Sequence, residues 1–261
     1  MNIKQLSTTI FAKQSFLCVG LDTDSTKLPK GLQDNAADII RFNKAIIDAT
    51  LESAVSYKIN TAFYEAMGKK GWEIMEETLA YIPDTHFTIA DAKRGDIGNT
   101  AAQYAKTFFE TYPFDSVTVA PYMGRDSILP FLDYKDKTTI VLGLTSNKGA
   151  ADFEQQELKS GKKVYETVLE TVATWGSPDN LMFVVGATQA AALAGIRRLI
   201  PEHFLLVPGV GAQGGTVEEV AAAGFNSRCG LLVNVSRGII YASSDADFQQ
   251  QAATAAAQYH Q

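Results

Sequence analysis

Short apolar runs rich in β-branched residues recur along the whole length of this 261-residue chain. They predict strands at residues 16–22, 56–63, 86–93, 116–122, 138–146, 181–187, 203–210 and 230–236. Apolar residues at helical spacing fill the segments between them, as at residues 36–53, 72–81, 99–112, 163–175 and 188–199. Residues 246–259, rich in alanine and glutamine, predict a last helix. Near-continuous apolar strands that alternate with helices are typical of parallel strands covered on both faces.

Eight strand–helix units in about 250 residues predict an α/β fold made of a single (β/α)8 barrel, of the TIM type, over residues 1–261. A doubly wound sheet is the alternative, because it has the same alternation of elements. No linker rich in Ser, Gly or Pro divides the chain, so we expect one domain. The longest polar insertion, residues 147–162, follows the fifth strand, and we interpret it as a candidate lid.

Polar residues mark the carboxyl ends of the predicted strands. They are Asp22, Lys58, Asp91, Lys93 and Ser146, with Gln213 just beyond the seventh strand and Arg237 just beyond the eighth. In a barrel these ends converge on the one face where active sites are found. The pattern therefore predicts a functional site at that face.

Composition narrows the possible partners. A net charge of −6 argues against a general affinity for nucleic acid or for an anionic membrane, so an anion site must be a local cluster of basic residues. Cys18 and Cys229 lie in or beside apolar runs, and we expect them to be buried and reduced. Residues 1–14 lack the apolar core of a signal peptide, and no apolar run approaches the roughly 20 residues needed to span a bilayer. A cytosolic location is the natural expectation.

The third predicted strand ends in a cluster of charges. Strand alternation directs Asp91 and Lys93 to the same face, and Asp96 follows after Gly95 has allowed a turn. Unpaired charge at a buried strand end costs several kcal/mol, which is usually tolerated for chemistry. Lys58 and Asp22 extend the set. Taken singly, Lys58 fits a solvated lysine at a strand end and Asp22 fits a cap of a loop. For the five charged residues together, the alternative is a salt-bridge network with a purely structural role.

The histidines are not placed for catalysis. His86 and His203 begin predicted strands, at the stability face of a barrel, and His260 lies in the C-terminal tail. A histidine base, a catalytic triad or a histidine-ligated zinc is therefore not expected. Lysine is left as the proton carrier. Because Lys93 is flanked by carboxylates and keeps its charge, we interpret it as a proton donor rather than a base or Schiff-base nucleophile.

The loops after the last two strands indicate a phosphate site. Residues 208–215 are rich in glycine, which lets backbone N–H groups approach an anion, and Arg237 offers a forked, charged donor. Gly209, Gly211 and Gly214 also fit the dinucleotide pattern G-x-G-x-x-G. That pattern requires an acidic residue about 20 positions on, and the segment there is apolar. A simple tight turn is the remaining alternative.

The spacing Asp91-x-Lys93-x-x-Asp96-Ile97-x-x-Thr100 resembles the signature of the orotidine 5′-phosphate decarboxylases. The resemblance covers nearly the whole chain and includes the residues at the other strand ends. These are Asp22, Lys58, Thr145-Ser146-Asn147, and the Gly-Ala-Gln-Gly-Gly and Ser-Arg-Gly loops. Residues 58–65 and the chain length look like the second, larger branch of that family.

The resemblance implies conversion of orotidine 5′-phosphate to UMP and carbon dioxide, the last step of de novo pyrimidine synthesis, without a metal or cofactor. It implies that Asp91 lies against the leaving carboxylate and that Lys93 stabilises and protonates the carbanion at C6. Lys58 and Asp96 complete the charged set, with Asp96 entering the site of the neighbouring subunit of a homodimer. The implied substrate contacts are Asp22 and Thr100 to the ribose, Ser146 to the pyrimidine, and Gln213 and Arg237 to the phosphate.

Two other functions fit parts of the pattern. Sugar-phosphate aldolases and decarboxylases of the same barrel group also carry Asp-x-Lys-x-x-Asp, but they use magnesium and need a further carboxylate to hold it. This chain has Lys58 at the end of its second predicted strand, where an ammonium group would repel the cation. A catalytically silent, phosphate-binding barrel that acts as a regulator is the second alternative.

Overall fold

The eight strands form one closed parallel barrel. The structure, a computed structural model, describes residues 1–187, 190–210 and 216–259. Each strand pairs with the next in the chain, and the last pairs with the first. The strands are β1 (Leu17–Gly20), β2 (Ala54–Asn60), β3 (Phe87–Arg94), β4 (Ser116–Val119), β5 (Thr138–Leu144), β6 (Leu181–Val185), β7 (Phe204–Pro208) and β8 (Leu231–Val235). This closure confirms the predicted (β/α)8 barrel and excludes the doubly wound sheet, whose edges stay open.

Helices connect the strands and cover the barrel. Within the described residues they are α1 (Ile3–Lys13), α2 (Ala36–Thr50), α3 (Thr61–Glu65), α4 (Lys69–Tyr81), α5 (Gly98–Lys106), α6 (Arg125–Leu132), α7 (Val164–Ala173), α8 (Ala190–Leu199), α9 (Val217–Gly224), α10 (Arg237–Ile240) and α11 (Phe248–Ala257). A short π-helical turn, Thr107–Thr111, continues α5. None of these helices is long and apolar enough to cross a bilayer.

The N-terminal segment is helix α1, which sequence patterning alone did not predict. Asn2 and Gln5 form a reciprocal capping box at its start, which satisfies backbone N–H groups that would otherwise lack partners. At its end, Lys13 Nζ donates to the carbonyl of Ala54, the first residue of β2, at 3.0 Å. Helix α1 therefore packs at the amino end of the barrel, opposite the predicted site.

The predicted second strand was wrong at its carboxyl end. Strand β2 stops at Asn60, and residues 61–63, which the apolar pattern assigned to the strand, belong to α3. The Asn60 side chain accepts the backbone N–H of Ala62 at 3.2 Å and caps that helix. Capping overrides the β preference of the apolar residues that follow.

The insertion after β5 is a folded segment with its own hydrogen bonds. It begins with a 3₁₀ turn, Lys148–Asp152, and ends in an antiparallel bridge between Glu157 and Lys163. The Glu154 carboxylate accepts the backbone N–H of Thr145 at 2.7 Å, which ties the segment to the end of β5. Its role as a lid stays a prediction.

Both cysteines are buried and free, as the sequence predicts. Cys18 lies in β1, and burial raises the pKa of its thiol to about 11. The pKa of Cys229 is also raised by burial. Neither thiol is placed as a reactive nucleophile, because a buried thiol with a raised pKa holds its proton.

Candidate active site

An ion-paired lysine lies at the carboxyl end of the barrel. Lys58, on β2, is 3% exposed, and its Nζ lies 2.9 Å from Oδ1 of Asp22 and 3.3 Å from Oδ2 of Asp91. Asp22 comes two residues after β1, and Asp91 lies in β3, so the loop after β1 and the strands β2 and β3 each supply one charge. The structure therefore brings together three residues that the sequence placed only at strand ends.

Opposite charges nearby keep Asp91 and Lys58 ionised. Burial alone would raise the pKa of Asp91, but the ammonium groups of Lys58 and Lys93 outweigh it and lower that pKa to about 2. Burial would lower the pKa of Lys58, but the carboxylates of Asp22 and Asp91 outweigh it and raise that pKa above its ordinary value. Both residues stay charged across the physiological range.

The second lysine of the group reaches Asp91 through an irregular backbone. Lys93 Nζ lies 2.6 Å from Oδ1 of Asp91, and the Lys93 side chain is half exposed. Lys93 has φ 45°, in the left-handed region that non-glycine residues rarely adopt. Strand alternation, the basis on which the sequence paired these two side chains, therefore ends before Lys93.

A bulge between β3 and β4 accompanies this conformation. Ala90 pairs with Val117 and Arg94 pairs with Val119, so three residues of β3 face the single residue Thr118. The Thr118 hydroxyl accepts the backbone N–H of Lys93 at 2.9 Å and donates to Oδ1 of Asp91 at 3.0 Å. Bulges are common beside active sites, where they redirect a side chain.

Arg94 holds the chain that follows the bulge. Its guanidinium forms an ion pair with Glu65, at the end of α3, and donates to the carbonyl of Ala92 at 2.9 Å. It also lies over the rings of Tyr104 and Phe108, with its central carbon 5.3 Å from each ring centre. Arg94 therefore fixes the backbone next to Lys93 to two surrounding helices.

The structure does not bring Asp96 and Thr100 to the charged group. Asp96 is half-buried and accepts the backbone N–H of Ile97 at 2.8 Å, and no ion pair joins it to either lysine within the described residues. Thr100 is exposed in the first turn of α5. In this single chain, these two residues of the predicted set stand apart from Lys58, Asp91 and Lys93.

A cleft of about 460 Å³ opens between the ends of β7 and β8. Asp22, Pro208, Gly209, Ser236 and Arg237 contribute to its lining, so it extends from Asp22, the ion-pair partner of Lys58, to the predicted phosphate loops. Arg237 is exposed at the start of α10. Gln213, also predicted to bind phosphate, lies outside the described residues, as do Gly211 and Gly214.

Two glycines let neighbouring strand ends come close at this face. A Cβ on Gly20 would lie 2.8 Å from Cβ of Ser236, the residue before Arg237. A Cβ on Gly186 would lie 2.6 Å from Cβ of Ser146, the half-buried residue predicted to contact the pyrimidine. Larger residues at either position would displace a loop that carries a predicted substrate contact.

The two histidines of the described residues lie at the opposite end of the barrel, as the sequence predicts. His86 directly precedes β3 and contacts Lys13 Nζ at 3.0 Å, and burial lowers its pKa. His203 directly precedes β7, and burial together with the Arg197 guanidinium lowers its pKa to about 4. Both are neutral side chains of the stability face.

The donor set does not resemble a cation site. In the part of the chain that the structure describes, no three side chains of the His, Cys, Asp and Glu types gather as metal ligands. Asp22 and Asp91 both contact the Lys58 ammonium at the barrel mouth, so that ammonium lies between the two carboxylates. A positive charge already occupies the position that a divalent cation would take.

Comparison with known proteins identifies the family. The family model described as orotidine 5′-phosphate decarboxylase / HUMPS matches residues 15–252. The chain belongs to this family. An orotidine 5′-phosphate decarboxylase of Bacteroides fragilis is 54% identical over 98% of this chain and 94% of that protein. One of Phocaeicola vulgatus is 56% identical over 95% of this chain and 92% of that protein.

Solved structures of the family have the same barrel. The orotidine 5′-phosphate decarboxylase of Leishmania donovani has a TM-score of 0.84 and 35% identity, covering 100% of this chain and 99% of that one. The UMP synthase of the same organism has a TM-score of 0.85 and 37% identity, covering 98% of this chain and 56% of that one. The family assignment confirms the family resemblance found in the sequence, and membership of the larger branch stays a prediction.

Sequence patterning missed the residues that support the charged group. Thr118 has the signature of an ordinary buried strand residue, and Glu65 that of a surface helix residue. Arg94 lies within the recognised motif, but its partners come from distant segments. In the sequence, Arg94 is adjacent to Lys93 and Glu65 lies in the segment 58–65 that resembles the family, but neither fact reveals what these residues contact.

Proposed function

We propose that this chain converts orotidine 5′-phosphate to UMP and carbon dioxide, and that Lys93 and Asp91 act at the reacting carbon without a metal or cofactor. The observation that carries this proposal is the line of charges Asp22, Lys58, Asp91 and Lys93 at the barrel mouth of a member of this family. The reaction is the last step of de novo pyrimidine biosynthesis, which is consistent with a cytosolic location and with two free thiols.

The proposed chemistry requires an ammonium group at the carbon that loses carbon dioxide. When the bond between C6 and the carboxylate breaks, its electron pair stays on C6, where no ring carbonyl delocalises it in the ordinary way. A fixed positive charge stabilises that pair without any reorganisation of solvent. Lys93 then gives one of its protons to C6, which completes UMP and leaves the amine neutral until solvent reprotonates it.

Asp91 has two functions in this proposal. Its carboxylate holds Lys93 Nζ at 2.6 Å, which orients the proton donor. Its negative charge, maintained by a pKa of about 2, would also repel the substrate carboxylate before carbon dioxide leaves. Lys58 orients Asp91 from the other side at 3.3 Å and keeps the cluster from carrying excess negative charge.

Binding of the rest of the substrate is assigned to the surrounding loops. We assign the phosphate to Arg237 and Gln213, the ribose hydroxyls to Asp22 and Thr100, and the pyrimidine to Ser146. Support comes from the cleft, whose lining includes both Asp22 and Arg237. Contacts to the phosphate are remote from C6, so their binding energy is available for positioning the reacting end.

We further propose a homodimer in which Asp96 acts in the site of the neighbouring subunit. Two features support it. Asp96 has no ion pair with the charged group of its own chain, within the described residues. Large apolar side chains are exposed at the residue after Asp96, Ile97 at 53%, and in the loop after β4, Tyr122 at 91% and Met123 at 49%, which is typical of a surface that a second subunit covers.

A magnesium-dependent sugar-phosphate enzyme of the same family group is disfavoured by Lys58, for the electrostatic reason given above. The direct test of the proposal is incubation of the purified protein with orotidine 5′-phosphate and chromatographic analysis of the product. Equal amounts of UMP and carbon dioxide are expected. Binding of the nucleotide with no product would contradict the proposal and would favour a silent phosphate-binding barrel.

A further inference from the structure

Thr118 is the one residue of β4 that faces the bulge in β3. On either side of it the strands pair regularly, Ala90 with Val117 and Arg94 with Val119. Across the bulge, the ladder offers no regular partner to the backbone N–H of Lys93. The Thr118 hydroxyl accepts a hydrogen bond from that N–H at 2.9 Å, so a side chain replaces the missing backbone acceptor.

The same hydroxyl also acts on Asp91. An accepted N–H leaves the hydroxyl proton free to be donated, and Thr118 donates it to Oδ1 of Asp91 at 3.0 Å. Oδ1 is also the oxygen that contacts Lys93 Nζ at 2.6 Å. Thr118 therefore fixes the backbone of one charged residue and the carboxylate of the other, and it is only 1% exposed.

The backbone of Lys93 needs such support. A left-handed conformation at a residue other than glycine costs about 1–2 kcal/mol and persists only where its surroundings over-determine it. At Lys93 the hydrogen bond to Thr118 is the constraint nearest to the strained torsion. Without it, the chain gains freedom to relax, and the ammonium group moves with the backbone that carries it.

We propose that Thr118 is a positioning residue for the decarboxylation: its hydroxyl locks Lys93 and Asp91 in the arrangement that delivers the proton to C6. This inference rests on the proposed function. Thr118 does not touch the reacting atoms in this account and acts through the two residues that do. Its removal should therefore lower kcat and leave the binding of nucleotide largely intact, because the phosphate and ribose contacts come from other loops.

The test compares Thr118→Val with Thr139→Val. Valine has nearly the shape of threonine and lacks only the hydroxyl. Thr139 is a matched control, a buried threonine on the next strand whose hydroxyl has no hydrogen-bond partner within the described residues. For Thr118→Val we expect kcat to fall about tenfold to a hundredfold, as for loss of a buried hydrogen bond, with KM within about threefold. Thr139→Val should match the wild type in both constants.

A second pair keeps the test decisive if Thr118→Val does not fold. Thr118→Ser and Thr118→Ala both lack the methyl group and differ in the hydroxyl, so serine should retain most of the wild-type kcat and alanine should not. Serine as impaired as alanine, or valine and alanine variants within about twofold of the wild-type kcat, would overturn the inference.

Hydrogen exchange at the Lys93 amide separates this inference from the proposed function. Exchange should be faster in Thr118→Val than in Thr139→Val whether or not the wild type decarboxylates the nucleotide. An exchange rate of the Lys93 amide that is the same in Thr118→Val as in Thr139→Val would refute the positioning role directly. An inactive wild type with the expected exchange pattern would refute the function alone.

Discussion

The ammonium nitrogen of Lys93 lies 2.6 Å from Oδ1 of Asp91, although only one residue separates the two in the chain. In a regular strand, two residues that are two positions apart would have side chains side by side on the same face. Here the left-handed backbone of Lys93 and the bulge opposite Thr118 set the contact instead. The proton donor is thus coupled to a carboxylate that stays ionised, which is the central relationship of the proposed mechanism.

Removal of the donor should abolish chemistry and preserve binding. In Lys93→Ala, we expect turnover of orotidine 5′-phosphate to be undetectable, because Lys58, the other ammonium group of the cluster, is buried and held between Asp22 and Asp91. UMP should still bind, as measured by calorimetry. Lys69→Ala, which removes an exposed lysine of α4, is the control and should be fully active. Unchanged activity in Lys93→Ala would refute the mechanism.

Lys58 should matter for stability as well as for activity. In Lys58→Met, the buried Asp91 and its neighbour Asp22 lose a shared partner, and breaking a buried ion pair costs about 3–5 kcal/mol. Urea unfolding of Lys58→Met should therefore show a free energy of unfolding about 3–5 kcal/mol lower than that of the wild type. Lys44→Met removes a partly exposed lysine 4.0 Å from Glu77 and should cost less than about 1 kcal/mol. Equal losses of unfolding free energy in the two variants would show that the ion pairs of Lys58 with Asp22 and Asp91 do not stabilise the fold.

The charge of Asp91 should make stability depend on pH in one direction. The pKa of Asp91 is about 2 in the folded protein and about 3.9 in an unfolded chain. The stability that the Asp91 charge contributes is therefore fully present above about pH 3.9 and is lost as pH falls through about 2. We expect the difference in unfolding free energy between wild type and Asp91→Asn to shrink by about 1 kcal/mol from pH 6 to pH 3. Urea titrations at both pH values measure it. A difference that stays constant or grows would contradict the assigned charge state.

The main architecture could be predicted from sequence because it depends on short-range pattern. Each apolar run appears as a strand, and the polar residues after Gly20 and within β2 and β3 meet at one face because parallel strands share a direction. The approach of Lys58 to Asp22 and Asp91 follows from that geometry. Strand ends were less predictable, since the cap at Asn60 depends on a side-chain hydrogen bond that competes with apolar pattern.

The irregular parts of the site could not be predicted in the same way. A left-handed Lys93 leaves no mark in the sequence, because that conformation is imposed by its neighbours in space. Thr118 and Glu65 are distant from Lys93 in the chain. Thr118 contacts Lys93, and Glu65 contacts the adjacent Arg94, only in the closed barrel. Asp96 belongs to the motif that the sequence shows, but the structure of the chain does not place it in an ion pair with Lys58 or Lys93 within the described residues.

Sharing of the site between subunits predicts complementation. In a heterodimer of Lys93→Ala and Asp96→Ala, one site carries both defects and the other carries neither, so half of the sites are restored. Random mixing of the two inactive proteins should therefore recover about a quarter of the wild-type activity in a twofold-symmetric dimer. Differently tagged subunits allow the heterodimer to be purified and verified. A purified heterodimer without activity would refute sharing.

The most direct measurement is the rate of decarboxylation in the presence of EDTA. The absorbance of orotidine 5′-phosphate is expected to fall at the same rate with EDTA as with added magnesium, and Lys93→Ala is expected to show no change in absorbance under either condition. The contradicting result is specific: no turnover in EDTA, together with magnesium-dependent turnover of a pentulose or hexulose phosphate, would assign the barrel to the sugar-phosphate chemistry instead.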